Sequence, residues 1–335
     1  MKTLTLALAA MLAAAAPVAA QQITGAGATF PAPVYAKWGE AAKAAVGIEL
    51  NYQAIGSGGG QNQIFNRTVD FGASDAPVEG AKLAEQKLLQ FPSVMGAVVP
   101  IVNIPGVELN KLRLTGEILA DIYEGKIKRW NDERIVAINA GLVLPNLAIA
   151  PVYRADGSGT TYVFTSYLSA ASADWKGKVG AAASVKWPAG NGAKGNDGVA
   201  ATVKQVKGAI GYVENAYATG NKLISTQLKN KSGAFVEPSL PAFTAAADAG
   251  DWKGAQNYAV DLIDTAGATA WPIVSATFIL LPMEPKDAAR SAAVMKFFDW
   301  AYTNGGKIAG DLEYIALPRT VQDAVRASWK RDIKG

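Results

Sequence analysis

Three times in this chain an apolar run breaks into glycine, serine and threonine and then resumes with helical spacing. The fullest case is Arg154-Ala155-Asp156-Gly157-Ser158-Gly159-Thr160, which follows apolar residues 147–152 and precedes apolar-periodic residues 162–168. The others are Ile23-Thr24-Gly25-Ala26-Gly27-Ala28-Thr29-Phe30, ahead of Pro31 and Pro33, and Gly56-Ser57-Gly58-Gly59-Gly60, after the loosely alternating residues 48–55. Strand, tight turn and helix start, repeated, predict an α/β fold. The first N–H groups of a helix have no intrahelical partner and sit at the positive end of its dipole, so each such turn suits an anion. Ser158 and Thr160 add hydroxyls, Gly157 and Gly159 permit close approach to the backbone, and Arg154 offers a planar fork of donors. The stretch therefore reads as half of an anion pocket, with an ordinary capped helix beside a solvated arginine as the alternative. The run after Ile55 lacks the lysine of a nucleotide-binding loop, and Phe30 stands where a dinucleotide fingerprint requires its third glycine.

Residues 69–77, Val-Asp-Phe-Gly-Ala-Ser-Asp-Ala-Pro, read as a short strand with Asp75 at its carboxyl end, the edge where open α/β sheets hold ligands. Residue chemistry alone leaves Asp75 between a ligand role and a turn-capping role, the latter ahead. The apolar residues 95–104 are too long for one short strand, and residues 271–281 form a β-rich counterpart. If both cross between lobes, the chain divides into a discontinuous lobe of 21–103 and 272–335 and an inserted lobe of 104–271. Short helices are expected at 115–123 and 134–139, a Gly- and Asn-rich surface loop at 186–198, a helix at 199–206 and a strand at 209–213. Near the end, Val294, Phe298 and Tyr302, then Val321, Val325 and Trp329, are spaced as the core faces of two helices. Residues 226–265 are weakly patterned.

Cysteine and histidine are both absent, which excludes disulfides, thiol chemistry, the usual general base and the commonest metal ligand. No metal or cofactor is expected. The first twenty residues, with Lys2, a Leu/Ala run and Pro17-Val18-Ala19-Ala20, read as a secretory signal peptide cleaved near Ala20, so the periplasm is the expected location. A pI near 9 raises the question of nucleic acid, but the lysines are scattered among acids, and no such partner is expected.

The turns at 24–31, 56–59, 69–75 and 154–160, with Gly195-Asn196-Asp197-Gly198, residues 208–214 and residues 296–301, closely resemble the periplasmic phosphate-binding proteins of bacterial high-affinity phosphate ABC transporters. The resemblance runs from about Ile23 to Ile333. It implies a type II two-lobed binding protein, each lobe a mixed sheet flanked by helices and joined by two crossing segments, acting as a monomer that delivers inorganic phosphate to membrane permease subunits. Carried over position by position, the family's phosphate ligands fall on Thr29, Phe30 (through its amide), Ser57, Asp75, Arg154, Ser158, Gly159 and Thr160, with Asp156 as the partner of Arg154. An ionised Asp75 beside an anion repels it unless the ligand brings a proton, which phosphate does near neutral pH and sulfate does not. Two rival readings remain: a site for another oxyanion, and a phosphoesterase with Ser158 as nucleophile. The second lacks a histidine to activate it.

Overall fold

The structure, a computed structural model, describes residues 20–334; the signal-peptide reading lies outside them. Gln21–Gly27 (β1) and Ile48–Ala54 (β2) pair in parallel because the intervening helix Ala32–Val46 (α1) returns the chain to the same edge. Proline in its first turn starts α1, and Gly47, left-handed at φ +67°, ends it. Its buried stripe is Val34, Tyr35, Trp38 and Ala42. Tyr35 lies on that stripe, and Ala45 is exposed, because the tyrosine carries far more surface to bury than an alanine.

Helix Ser57–Phe65 (α2) leads to Phe71–Ser74 (β3), then to Leu88–Val102 (β4), one long strand of 15 residues that takes in most of the apolar stretch 95–104. Later come Ala150–Arg154 (β5), Gly159–Ala171 (α3), Asn191–Ala193 (β6), Gly195–Gln205 (α4), Ala209–Glu214 (β7), Asn215–Gly220 (α5) and Val274–Pro282 (β8). Helices Ala288–Asn304 (α6) and Arg319–Asp332 (α7) close the chain. The main sheet is mixed, in the order β2-β1-β3-β8-β4-β7-β5-β6. β4 pairs with β8 along Leu88–Ala97 and with β7 along Val98–Val102, so it changes partners midway. Opposite Thr277 and Phe278 the register slips: Thr277 faces Val94 and Phe278 faces Pro92, leaving Ser93 over. Pro92 has no N–H for the ladder, and a β-bulge there is its consequence.

Two aromatic clusters lie on either side of that change of partners. Phe71, Phe91, Phe298 and Trp329 meet edge to face with centroids 5.2–5.8 Å apart, burying the inward faces of α6 and α7. Tyr123, Phe164 and Tyr212 form the other, with Phe164 and Tyr212 stacked at 4.2 Å. The expected short helices lie at Gly116–Tyr123 and Glu133–Ala137. α4 begins at Gly195, four residues before its expected start, because glycine and asparagine there open a helix rather than prolong a loop. The weakly patterned stretch holds a helix, Leu240–Asp248, and a strap with Asn257, Tyr258 and Asp264 at positive φ. Among the described residues no helix is long and apolar enough to cross a membrane.

Candidate functional site

The carboxyl ends of β1, β2, β3, β5 and β6 converge, and each feeds one turn into a common cleft. Ser57, the first residue of α2, is the meeting point: its Oγ accepts from the amide of Gly159 at 3.0 Å and from the amide of Asp75 at 3.2 Å. The turns at 56–58 and 156–157 also touch directly, with the Gly58 amide donating to the Gly157 carbonyl at 2.9 Å. A Cβ on Gly56, which sits at φ +89°, would strike the Asp156 carboxylate, and one on Gly159 would lie 2.5 Å from Asp75 Oδ2. These glycines are there so that turn can approach turn, as well as to expose amides.

Arg154, 3 % exposed, divides its donors. Nε and Nη2 form a bidentate pair with Asp156 at 2.8 and 2.6 Å, while Nη1 reaches Thr160 Oγ1 at 3.3 Å. The edge of the guanidinium carrying Nη1 therefore faces the cleft. Burial opposes ionisation of Asp156, yet the Arg154 pair and the Gly195 amide together hold it below its usual range. Ser158 caps α3 by accepting from the Thr161 amide at 3.0 Å, which leaves its hydroxyl hydrogen to donate elsewhere.

Thr29 and Thr160 are linked through one residue from the loop expected to be plain surface. Asn196, fully buried, donates from Nδ2 to both hydroxyl oxygens, at 2.8 and 3.3 Å, and its own carbonyl oxygen accepts from the Glu214 amide at 3.1 Å. With both oxygens already accepting, both hydroxyl hydrogens are free to point into the cleft. Three tyrosines then hold three successive carbonyls: Tyr52 that of Ala28 (2.7 Å), Tyr217 that of Thr29 (2.6 Å) and Tyr314 that of Phe30 (2.6 Å). A trans peptide sets C=O and N–H antiparallel, so fixing the Thr29 carbonyl outward aims the Phe30 amide inward.

Two acids are fully buried here. Asp75 is pushed from 3.8 up to about 7 by burial, against donation from Thr277, the charge of Arg154 and donation from Ser57. Glu214 is driven well above its usual range, again by burial, despite its contact with Tyr314. Tyr314 has one hydrogen and gives it to the Phe30 carbonyl, which can only accept; its 2.7 Å approach to Glu214 Oε2 therefore needs the proton of a neutral Glu214.

All eight residues singled out in the sequence, with Asp156, gather in one cluster of two hydrogen-bonded sets that meet at residues 158–160: Ser57, Asp75 and Gly159 in one, and Thr29, Phe30, Arg154, Asp156, Ser158 and Thr160 in the other. Asn196, Tyr217, Tyr314 and Thr277 belong to it too, and the sequence reading missed their roles. Only Asn196 carried a signal, in the Gly-Asn-Asp-Gly motif. Cation and acids nearly cancel within the cleft, so it presents donors rather than net positive charge.

Comparison with known proteins gives a consistent picture. The model of the PBP superfamily domain matches residues 13–304. The phosphate-binding protein PstS of Pasteurella multocida is 50 % identical over 315 residues, covering 94 % of this chain and 92 % of that one. PstS of Haemophilus influenzae is 48 % identical over 315 residues, covering 94 % of each. Among solved structures, a phosphate-binding protein from Stenotrophomonas maltophilia superposes with a TM-score of 0.69 at 25 % identity, covering 92 % of this chain and 93 % of that one.

Proposed function

The chain belongs to the PBP superfamily and, within it, to the PstS phosphate-binding proteins, and from that premise we propose that its cleft holds one inorganic phosphate for delivery to the permease of an ABC transporter. The ligands are the hydroxyls of Thr29, Ser57, Ser158 and Thr160, the amides of Phe30 and Thr160, the amide of Gly159 once it exchanges Ser57 Oγ for the anion, the free edge of Arg154, and Asp75 as acceptor. A buried oxyanion must replace its water shell with donors, and hydroxyls, amides and one guanidinium supply them without net charge. The observation that carries this reading is the position of Asp75: a buried acid set against the helix start at Gly159 and within reach of Ser57 suits an anion that brings its own hydrogen.

The two lobes are 21–103 with 272–335 and 104–271, a division supported by the change of partners along β4, and the chain acts in the periplasm after loss of residues 1–20. Binding closes the lobes, since Thr29, Ser57 and Asp75 lie on one and Arg154 to Thr160 on the other. Ligand-induced compaction in X-ray scattering checks this. The protein binds without turnover, because Ser158 caps a helix and the sequence has no histidine to activate it; failure to release p-nitrophenol from p-nitrophenyl phosphate is the expected result. Calorimetric titration tests the whole reading: phosphate binds one to one, sulfate about 10⁴-fold more weakly, as expected where a site built around a ligand hydrogen meets an analogue without it. Comparable affinities refute it, as does preference for another oxyanion in competition.

A further inference from the structure

We propose that Thr277, which belongs to none of the ligand turns, is a positioning residue that decides which oxygen of Asp75 meets the ligand and thereby sets the discrimination between protonated and unprotonated oxyanions. The inference rests on the phosphate reading above and deepens it. Thr277 is wholly buried on β8, in the strand that pairs antiparallel with β3; Ser74 faces Phe278, so Asp75 is next to Thr277 across the pair. The bulge at Pro92 and Ser93 lies directly opposite. The leftover Ser93 donates from Oγ to the Thr277 carbonyl at 3.1 Å and is itself joined to the Tyr35 hydroxyl at 2.5 Å. Bulges next to functional sites re-aim side chains, and this one anchors the backbone that carries Thr277.

The Thr277 hydroxyl donates to Asp75 Oδ1 at 2.7 Å. Oδ2 is the other oxygen, lying 3.5 Å from Ser57 Oγ and against the start of α3. Donation to Oδ1 has two consequences. It favours the ionised carboxylate against the burial that raises it, and it occupies Oδ1, so the acceptor left for a ligand hydrogen is Oδ2. Without that donor the carboxyl takes up a proton more readily, and an O–H at Oδ2 can donate to any oxyanion, sulfate included. The other groups bearing on Asp75 do not replace it: among the described residues Arg154 is the single cation acting on it, and burial keeps Glu214 and the phenols of Tyr35, Tyr52, Tyr217 and Tyr314 protonated.

The test is competition of labelled phosphate by sulfate between about pH 5 and pH 9 in the wild-type protein, Thr277→Val and Thr277→Ser, with a melting curve for each. In Thr277→Val the phosphate-to-sulfate affinity ratio at pH 8 should fall about tenfold or more, the range for a hydrogen bond to a charged group. The pH at which sulfate begins to compete should move upward, and Thr277→Ser should track the wild type. An unchanged ratio and pH profile in Thr277→Val overturns the inference, as does an equal loss for both anions, the mark of a merely structural role. If Thr277→Val does not fold, Thr277→Ala replaces it under the same two readouts. A wild-type protein that does not prefer phosphate refutes the phosphate reading itself, which is a different result from a selective wild type and an equally selective variant.

Discussion

The wall of the cleft formed by Thr29, Phe30, Ser57 and Asp75 offers neutral dipoles and one acid, whereas the facing wall of Arg154, Ser158, Gly159 and Thr160 offers a cation already neutralised by Asp156. Neither wall attracts an anion by net charge. In the function proposed above the second wall holds the anion, with hydroxyls, helix-start amides and a guanidinium whose orientation is locked. The first inspects it, with an acid that suits a ligand bearing a hydrogen. Affinity and selectivity should therefore separate when the two walls are altered one at a time.

The largest effect expected is from Arg154→Ala on the holding wall. It removes the charged donor and leaves Asp156 half-buried and unpaired, a loss in the range of about 3–5 kcal/mol, or roughly a hundredfold or more in phosphate affinity by calorimetry. Sulfate should weaken in parallel, because the loss does not depend on a ligand hydrogen.

Asp75→Asn alters the inspecting wall and should change the ratio instead. Phosphate loses about tenfold while sulfate gains, so the ratio collapses by roughly a hundredfold. The same variant makes a stability prediction. An acid whose folded value is raised, here from 3.8 to about 7, disfavours folding once ionised. Its cost is absent below about pH 4, grows between pH 4 and pH 7 and is constant above. The ligand-free Asp75→Asn protein should therefore melt higher than the wild type at pH 8, by an amount corresponding to a few kcal/mol, and no higher at pH 4. Equal melting temperatures at pH 8 would mean that Asp75 is not held as described.

Tyr217→Phe sharpens the comparison from outside both walls. It removes one of the two donors on the Thr29 carbonyl, leaving only the Ala32 amide at 3.2 Å, and loosens the aim of the Phe30 amide, so phosphate affinity should fall about fivefold to tenfold while the sulfate ratio stays put. The smallest effect belongs to Asp156→Asn. The amide keeps one acceptor for Arg154, so affinity should shift by no more than a few-fold. A loss equal to that of Arg154→Ala would erase the distinction between holding the anion and holding the arginine.

What was legible in the sequence is what local chemistry determines. Glycine, serine and threonine at a helix start act within a few residues, so the turns at 27–30, 56–58 and 154–160 could be read. Asp75 could be placed at a strand end, but not told from a capping aspartate without the resemblance, because its value to the site depends on Gly159 and Thr277, far along the chain. Tyr217 and Tyr314 act on carbonyls 188 and 284 residues away, and nothing around them distinguishes a tyrosine that orients a peptide from one that fills a core. Asn196 was obscured for another reason. A run of glycine and asparagine reads as loop, yet the Gly195 amide donates to Asp156 at 3.1 Å and Asn196 fixes Thr29, so the run opens a helix inside the cleft.

The most direct measurement is a crystal structure of the protein grown with phosphate. The anion should lie between the two walls, with one oxygen within hydrogen-bond distance of Asp75 Oδ2 and others on the Phe30 amide and the Nη1 edge of Arg154. Phosphate bound elsewhere, or an Asp75 turned away from it in a closed cleft, would contradict the account.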